Sequence, residues 1–422
     1  MKRILVFLSF CLMLFDGLQA QEWVWRLYNT ENSDIGGNTI LAIAVDGQNN
    51  VWVGTNVGLS RLRNRTWADY AMFNEKLKNQ SVNCLTVDNN DNLWIGTDDF
   101  GVIKFDGYQW EEHAQETRRL GMKFIGDIAI DNNNVKWIGV TLVGLVRFDD
   151  NSWDLITPKD SGLPSDFILC AAVDKHNRQW VGTNGGLGMF NGRRWISYTP
   201  DNCAIADKIT PAIVIDENDV KWVGTLGGLC SFDGEVWTTY NSSNSPLPGD
   251  QINALALDAN GLLWIASDGG VSVFDRNGHW DNFTPGKNHL PRGTVTALAV
   301  DSKNTVYVGY DLYGMATLSG YKMPKAAPPK AKEPSSAVAD AEAAAASDKV
   351  QIIPHLDDGY VELQFSAAEA EVSFLDADGE VVRHLPHYKK GAHINITRMA
   401  RKNYTLKVKL PQGEKTLSFN LK

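Results

Sequence analysis

The sequence predicts an all-β protein: a seven-bladed β-propeller closed by an N-terminal outer strand, followed by a linker and a small C-terminal β-sandwich. A motif that recurs seven times through residues 21–320 indicates the propeller, because its short strand-like runs are separated by turn residues at fixed offsets. A Pro- and Ala-rich segment at 321–349 indicates the linker. Renewed alternation of apolar and polar residues over 350–422 indicates the sandwich.

The repeated motif is an aspartate followed six residues later by an aromatic residue. Its copies recur with a mean period of about 42.5 residues, the length of one four-stranded propeller blade. Within a copy, an apolar run such as LAIAV ends at the aspartate, a polar turn and a strand such as VWVGT follow, and a glycine turn leads into a strand such as GLSRL. The seven copies, called repeats 1 to 7, begin with Asp46–Trp52, Asp88–Trp94, Asp131–Trp137, Asp174–Trp180, Asp216–Trp222, Asp258–Trp264 and Asp301–Tyr307.

A second tryptophan in each of repeats 1 to 6 predicts how the ring closes. Each stands 21 residues before the next repeat aspartate, and Trp25 stands 21 residues before Asp46. Repeat 7 has Lys322 and Met323 at the expected place of its second tryptophan. We therefore expect residues 25–28 to form the outermost strand of the last blade and to leave no open sheet edge.

The innermost strands carry small residues that fit a crowded central axis, and most of the fourteen tryptophans are expected in the core. Cys84 and Cys170 occupy a small-residue position of the repeat and are expected to be buried, reduced thiols. Two states are open for Cys203 and Cys230, bridged or free, and the free state is favoured.

Composition and the N-terminus bear on the cellular location. The 422 residues have a formal net charge of −10, so no extended basic face is expected and nucleic-acid binding is disfavoured. Residues 1–20 combine Lys2 and Arg3 with a short apolar run and a small-residue end, the pattern of a secretory signal peptide. A lipid anchor on Cys11 is disfavoured, and no later segment reads as a membrane span. The sequence predicts an exported protein of the cell surface, the outer membrane or the periplasm.

The pattern D-x5-W-[IV]-G-T-x-G-G-[LV]-x-x-[FY]-[DN]-G resembles the two-component regulator propeller repeat over about residues 22–320. That family occurs in exported sensor regions of bacterial hybrid histidine kinases and in surface proteins. The resemblance implies a propeller that binds a ligand or partner. No kinase or DNA-binding segment is expected after it.

The C-terminal segment resembles the domain recognised by the type IX secretion system of Bacteroidota. The matching parts are the opening strand with Pro354, the turn and strand at 376–382, Tyr404 leading a late strand, and the closing strand. The resemblance implies a sorting or docking module. A propeller joined to such a tail is also similar to surface components of that secretion system, which implies anionic lipopolysaccharide or secretion-system proteins as partners.

Motifs for catalysis are missing from the sequence, which lacks a nucleophile elbow, HExxH, a Walker loop and CxxC. The histidines show no metal-ligand spacing, and the turn at 88–92 is expected to be a hairpin turn rather than a calcium loop. We therefore expect no enzyme activity, no cofactor and no metal. Asp127 stands out because it places a carboxylate at a small-residue position of an inner strand; ligand contact and structural capping are both open for it.

The candidate binding residues lie where turns and inter-blade connections converge at one end of the propeller. The turns that end at Gly101, Gly144 and Gly314 are one residue longer than the others. Loop cations are expected to form a basic rim there, comprising Lys76, Lys78, Arg118, Arg119, Lys123, Lys208, Lys287 and Arg292. The predicted ligand-binding residues are Asp98, Asp99, Phe100, Arg118, Arg119, Lys123, Asp127, Asp311 and Tyr313.

Two classes of function fit these features. The favoured one is a non-enzymatic binding protein of the cell surface that holds a glycan, lipopolysaccharide or a protein partner. The alternatives are a periplasmic or secreted enzyme acting on polysaccharide, with acids among Asp98, Asp99 and Asp127, and a stand-alone periplasmic propeller of the sensor type.

Overall fold

The computed structural model describes residues 25–286 and 290–323, and in the C-terminal part residues 350–355, 360–364, 367, 369–376, 379–389, 393–395, 403–410 and 413–420. The predicted signal peptide at 1–20, most of the predicted linker at 321–349, and Lys287 lie outside these residues. No helix within the described ranges has the length and apolar character needed to cross a membrane.

The fold is all-β and consists mainly of four-stranded antiparallel sheets in a propeller-like arrangement. Up to residue 156 the strands are β1 (Arg26–Tyr28), β2 (Ile40–Val45), β3 (Val51–Thr55), β4 (Gly58–Arg63), β5 (Thr66–Asp69), β6 (Val82–Val87), β7 (Leu93–Thr97), β8 (Val102–Phe105), β9 (Trp110–Glu112), β10 (Ile125–Ile130), β11 (Lys136–Val140), β12 (Gly144–Phe148) and β13 (Trp153–Ile156). From there to residue 318 they are β14 (Ile168–Val173), β15 (Gln179–Thr183), β16 (Leu187–Phe190), β17 (Trp195–Tyr198), β18 (Ala212–Ile215), β19 (Lys221–Thr225), β20 (Gly228–Phe232), β21 (Val236–Tyr240), β22 (Ile252–Leu257), β23 (Leu263–Ser267), β24 (Gly270–Phe274), β25 (Trp280–Phe283), β26 (Val295–Val300), β27 (Val306–Tyr310) and β28 (Gly314–Leu318).

Each repeat forms one sheet whose strands pair in chain order, from β2–β5 for repeat 1 to β22–β25 for repeat 6. The first strands of successive sheets contact one another, and β26 of repeat 7 contacts β2 of repeat 1. Short helices occur only in connections of the described residues: a 3-10 helix at Ala71–Phe73, α1 at Ala114–Leu120 and α2 at Pro158–Ser161. Because the first strands contact one another around the ring, they line its axis. The connections from one sheet to the next lie at one end of that axis.

The predicted closure by the N-terminal strand is confirmed. Strand β1 pairs antiparallel with β28, with Arg26 opposite Thr317 and Tyr28 opposite Met315. Just before β1, Trp25 is buried and meets the ring of Phe283 edge-on, with ring centroids 5.4 Å apart. The sheet of repeat 7 thus takes its fourth strand from the start of the chain.

The aspartate and the aromatic residue of each repeat are joined by a hydrogen bond. In repeat 2, the Asp88 carboxylate accepts the Trp94 indole N–H at 3.0 Å and the backbone N–H groups of Asn90 and Asn92 at 2.9 and 3.0 Å. Burial raises the pKa of Asp88, but these hydrogen bonds outweigh it and hold the pKa below its usual value. One carboxylate therefore fixes the turn and satisfies a buried indole, as expected for a core tryptophan.

The same arrangement recurs in every repeat. Six indole groups and the Tyr307 hydroxyl donate to the aspartate six positions earlier, at 2.9 to 3.4 Å. The first strand and the second strand are antiparallel neighbours, so a spacing of six residues brings the aspartate beside the aromatic residue of the next strand. This geometry is the physical reason for the motif.

The turns at these aspartates also join neighbouring repeats. The backbone N–H that follows the aspartate donates to an Asn or Asp side chain in the next repeat, three positions after its aspartate. Those acceptor residues have φ between 59° and 66°, a conformation that Asn and Asp tolerate better than most residues. The links join Gly47 to Asp91 (2.7 Å), Asn89 to Asn134 (3.0 Å), Asn132 to Asn177 (2.8 Å), Lys175 to Asp219 (3.3 Å), Ala259 to Asn304 (2.9 Å) and Ser302 to Asn49 (3.2 Å).

The joint between repeats 5 and 6 is built differently. Gly261, with φ of 76°, occupies the position that carries Asn or Asp elsewhere. The Arg276 guanidinium lies beside it and donates to the Asp216 carboxylate at 2.6 Å and to the Glu217 carboxylate at 2.8 Å. A Cβ atom on Gly261 would lie 2.3 Å from Nη2 of Arg276, so the arginine fills the space that the missing side chain leaves.

The C-terminal strands belong to two sheets around one apolar cluster. Strands β31 (Glu369–Leu375), β32 (Val381–Lys389), β34 (Asn403–Leu410) and β35 (Gly413–Asn420) make one sheet. Strands β29 (Gln351–His355), β30 (Tyr360–Gln364) and β33 (His393–Asn395) continue the sheet of repeat 5, which has seven strands in all. Val372, Phe374 and Leu406 from the first sheet pack with Val361 and Ile394 from the second.

Candidate functional site

The two ends of the propeller-like fold differ in what they carry. Because each sheet is antiparallel, the turn between the second and third strands lies at the same end as the connection to the next sheet. We call this end the loop end, and the opposite end, with the repeat aspartates, the turn end. At the loop end, Phe124 N donates to the Asp98 carbonyl at 2.9 Å and Thr141 N donates to the Phe124 carbonyl at 3.1 Å. Repeats 2 and 3 are therefore joined there through the backbone of Phe124.

The predicted residues Asp98, Asp99 and Phe100 lie in the longer turn of repeat 2. The Asp98 carboxylate accepts a hydrogen bond from the Asn83 side-chain amide. Asp99 lies 3.8 Å from the Lys123 ammonium. The Phe100 ring is 39% exposed, so it remains available for contact.

Helix α1 positions the predicted cations Arg118 and Arg119. Both lie in its last turn and are exposed, a placement that complements the negative C-terminal end of a helix. Thr117 on the same helix packs over Gly101, where a Cβ atom would lie only 2.3 Å from its hydroxyl oxygen. Gly101 has φ of 66° and admits both the turn and the helix above it.

The predicted basic rim contains cations that already have acidic neighbours. The Lys76 ammonium lies 3.0 Å from the Glu112 carboxylate and 5.3 Å from the centre of the Phe100 ring. Lys123 pairs with Asp99, as described above. These ion pairs neutralise part of the positive charge that the sequence predicted for an anionic ligand.

Asp127 bridges two inner strands. One carboxylate oxygen accepts the N–H of Ile128 at 2.8 Å, and the other accepts the N–H of Ala171 on β14 at 2.8 Å. Burial raises the pKa of Asp127 to about 6, against the opposite effect of these two hydrogen bonds. The geometry supports the structural-capping interpretation, since one oxygen accepts a backbone N–H of its own strand and the other accepts one from the next repeat.

The four described cysteines are free thiols. Cys84 and Cys170 are buried as expected, and burial, followed by the charge of Asp127, raises the pKa of both. Burial also raises the pKa of Cys203 to about 12 and that of Cys230 to about 11. Of the two states left open by the sequence, Cys203 and Cys230 adopt the free one in this structure.

The predicted residues Asp311 and Tyr313 lie in the longer turn of repeat 7. The Asp311 carboxylate accepts the Thr39 hydroxyl at 3.3 Å. Tyr313 is 45% exposed, and its ring lies against Gly293. The predicted residues thus form two groups at the loop end, one in repeats 2 and 3 and one in repeat 7, with repeat 1 between them.

Sequence reasoning named Phe100 and Tyr313 as candidate binding residues, but it missed the arc of exposed apolar side chains to which they belong. Its members lie in loop-end turns and connections of repeats 7, 1, 2 and 3, in a contiguous part of the ring. Three of them also adopt positive φ, of 52° to 69°, which is costly for such side chains and is often retained where function requires it. The apolar arc comprises Met72, Phe73, Phe100, Phe124, Leu142, Leu312 and Tyr313, with exposed fractions of 39% to 79%.

A signal for part of this arc was present in the sequence. The longer turns pointed to Leu142 and Leu312, but a leucine in the left-handed region is not expected from residue preferences. The exposure of Met72 and Phe73 depends on how the connection from β5 to β6 folds. That connection is held by a backbone hydrogen bond from Asn79 N to the Val57 carbonyl at 3.1 Å.

Comparison with known proteins supports the repeat and the fold. The family described as Two component regulator propeller matches residues 34–57, 76–99 and 246–269. No curated protein matches the chain. The extracellular domain of the putative hybrid two component system BT3049 from B. thetaiotaomicron is a similar solved structure, with a TM-score of 0.60 and 17% identity. The match covers 94% of this chain and 57% of that one.

Two further structures widen the comparison. PorZ of Porphyromonas gingivalis, an essential bacterial surface component of the type-IX secretion system, has a TM-score of 0.57 and 14% identity, over 93% of this chain and 60% of PorZ. Virginiamycin B lyase from Staphylococcus aureus has a TM-score of 0.56 and 14% identity, over 71% of this chain and 99% of the lyase. The chain spans about three fifths of the BT3049 domain and of PorZ. At these identities the likeness shows the fold alone, and one of the three similar structures is an enzyme.

The chain is therefore an all-β protein with two-component regulator propeller repeats in a propeller-like fold. It resembles, in fold, the extracellular domain of a sensor and a bacterial surface component.

Proposed function

We propose that this chain is an exported, non-catalytic binding protein of the bacterial cell surface. In this proposal the repeats form a seven-bladed propeller whose loop end engages a protein partner or a surface glycan such as lipopolysaccharide. The C-terminal region, 350–422, is a β-sandwich for sorting or docking in type IX secretion. The observation that carries the proposal is the apolar arc, because exposed apolar side chains gathered on one surface mark interaction sites.

The carboxylates at the loop end support binding over catalysis. Asp127 is held by two backbone N–H groups, Asp98 by the Asn83 amide, and Asp99 by Lys123. Groups with these partners stabilise the loop end. The apolar arc beside them remains exposed, and it favours a protein partner over a purely anionic ligand, because part of the basic rim is already paired.

Surface placement rests on two similarities. The C-terminal sequence resembles the type IX sorting domain, and the fold resembles PorZ, itself a surface component of that system. Protease treatment of intact cells tests the placement: the propeller should be cleaved without breaking the outer membrane. Protection until the membrane is opened contradicts surface exposure and leaves a periplasmic role.

A binding experiment tests the loop end. Full-length protein is immobilised and exposed to outer-membrane extract from cells that express it. Replacing Phe73, Leu142 and Leu312 together with serine should reduce the retained material at least about tenfold, since hot-spot contacts carry most of the binding energy. Tyr108→Ser is the matched control, because Tyr108 is 93% exposed at the opposite end. Equal retention by the triple variant and the wild type contradicts the proposal.

The chemistry of the ligand is resolved in the same experiment. A protein partner is lost after protease treatment of the extract, and a glycan after periodate oxidation. If the ligand is an anionic glycan, replacing Arg118, Arg119 and Lys123 with glutamine should weaken binding and flatten its salt dependence, since exposed charges are screened over about 8 Å at physiological salt. Binding that is unchanged from low to high salt excludes the basic rim from the mechanism.

A polysaccharide-degrading enzyme is the second candidate function. The raised pKa of Asp127, about 6, lies in the range that suits a general acid, and the fold is shared with a lyase. Turnover of a polyanionic sugar that is lost in Asp127→Asn, with an unchanged melting temperature, would favour this candidate. Turnover that survives the substitution excludes Asp127 from catalysis.

A further inference from the structure

The outer edge of the repeat 5 sheet carries an additional strand. Strand β33 of the C-terminal region pairs antiparallel with β21, with Val236 opposite Ile394 and Trp237 opposite His393. The sheet of repeat 5 therefore continues through β33 into β30 and β29. The corresponding outer strands of repeats 1 to 4 and 6 pair only with their own sheets within the described residues.

An ion pair flanks this strand pairing. The Arg383 guanidinium of β32 lies 3.1 Å from the carboxylate of Glu235, which immediately precedes β21, and the Arg383 side chain is only 10% exposed. Burial lowers the pKa of Arg383, while the charges of Glu235 and Asp233 raise it. A guanidinium so far removed from water needs an acidic partner, so the acidic turn before β21 complements it.

Apolar packing completes the contact. Val236 packs against the C-terminal apolar cluster that includes Ile394 and Val361. The strand pairing is short, with two residue pairs, and the Glu235 carboxylate that flanks it is 61% exposed. Short contacts of this kind open at a lower free-energy cost than the core of a sheet.

We propose that β21, β33 and the Glu235–Arg383 pair form a latch that docks the C-terminal region on repeat 5. The occupant of the β21 edge is the β33 strand of the same chain. Closed, the latch covers two strand edges that would otherwise be open to pairing with other proteins. Open, it releases the C-terminal region and leaves the β33 edge available to a strand of a partner protein. The latch does not involve the loop end, so it stands apart from the binding role proposed above.

Charge reversal in the full-length chain tests the latch. Glu235→Arg should place two cations together and open the contact, and Arg383→Glu should do the same with two anions. Each variant should exchange the backbone amide hydrogens between β21 and β33 at least about tenfold faster than the wild type, because exchange follows local opening. The double reversal should restore slow exchange, since it restores an ion pair of opposite polarity.

Two comparisons keep the test specific. Glu112→Arg reverses an acid on the outer strand of repeat 2, and it should leave exchange in β21 unchanged. Exchange in β34 and β35 shows whether the C-terminal region remains folded; if Arg383→Glu disturbs it, Glu235→Arg still tests the latch from the propeller side. Unchanged exchange in β21 in Glu235→Arg, or a double reversal no slower than Glu235→Arg alone, overturns the proposal.

Discussion

The turn end and the loop end of this fold follow opposite rules. At the turn end, each repeat aspartate holds a turn and an aromatic side chain, and most neighbouring repeats are joined by the same backbone-to-side-chain hydrogen bond. At the loop end, repeats 2, 3 and 7 have longer turns, and leucines occupy left-handed conformations in two of them. A uniform set of joints at one end supports variable turns at the other, which is where binding residues are usually carried.

Removing the strand that closes the ring should have the largest effect. Deleting residues 21–30 removes β1 and Trp25, which leaves the edge of β28 unpaired and costs more than about 3 kcal/mol, the scale of losing one buried tryptophan. The shortened chain should aggregate or melt well below the full-length protein in size-exclusion and thermal unfolding experiments. Deletion of residues 21–24 alone is the control. A monomer with an unchanged melting temperature shows that the remaining contacts between repeats 7 and 1, such as those of β26 with β2, close the ring without β1.

Replacing a repeat aspartate should come next. Asp88→Ala removes the partner of the fully buried Trp94 indole and of two turn amides, at a cost of about 2 to 4 kcal/mol. Asp106→Ala is the matched control, because Asp106 accepts two turn amides at 2.8 and 2.7 Å at the exposed turn between β8 and β9. Urea unfolding should show a clearly smaller loss for the control. Equal losses would mean that the buried indole does not need the aspartate.

The exceptional joint between repeats 5 and 6 allows a test by exchange of its parts. Arg276→Ala should cost about 1 to 2 kcal/mol, because it leaves Asp216 and Glu217 without their cation. Gly261→Asn in the Arg276→Ala background should recover part of the loss. Asn tolerates the positive φ, and its side-chain oxygen can accept the backbone N–H of Glu217, as in the other joints. Alone, Gly261→Asn should destabilise, because its Cβ meets Arg276. A double variant no more stable than Arg276→Ala in urea unfolding contradicts the equivalence of the two kinds of joint.

The smallest expected effect concerns pH. His113 precedes α1 and stacks on Trp94, with ring centroids 5.7 Å apart, and burial lowers its pKa although the charge of Glu111 raises it. The folded state therefore favours the neutral ring, so its contribution to stability is fully present above the unfolded pKa, about 6.5, and declines as pH falls. His113→Phe should flatten the decrease in melting temperature between pH 7.5 and pH 5. An equally steep decrease in the variant assigns it to other groups.

The repeat and its strands could be predicted from local spacing, and the closure by β1 from the register that Trp25 shares with the second tryptophans of the repeats. An aspartate and a tryptophan six residues apart can meet only across a short turn, so Asp88 and Trp94 are informative without a structure. The replacement of a joint by Arg276 was not predictable, because it joins side chains 60 and 59 residues apart. The bridge from Asp127 to Ala171 depends in the same way on the packing of neighbouring repeats.

The apolar arc and the latch were harder to predict from the sequence than the repeat. Sequence placed Leu142 and Leu312 in loops, but their exposure follows from backbone conformations that leucine rarely adopts. The pairing of Val236 with Ile394 joins short strands far apart in the chain, and neither strand has a pattern that names its partner. Pairing between distant edges is decided by the geometry of the whole fold, and local propensity does not encode it.

The pairing of β1 with β28 also sets an order of events in time. Arg26 is made among the first residues of the folded part, and its partner Thr317 follows about 290 residues later. Until the last repeat has folded, the N-terminal strand has no partner and its apolar neighbours stay exposed, and contacts between segments this far apart form slowly. The ring therefore becomes complete in a single late step, and a chain interrupted before residue 314 would have every earlier repeat but no closed ring.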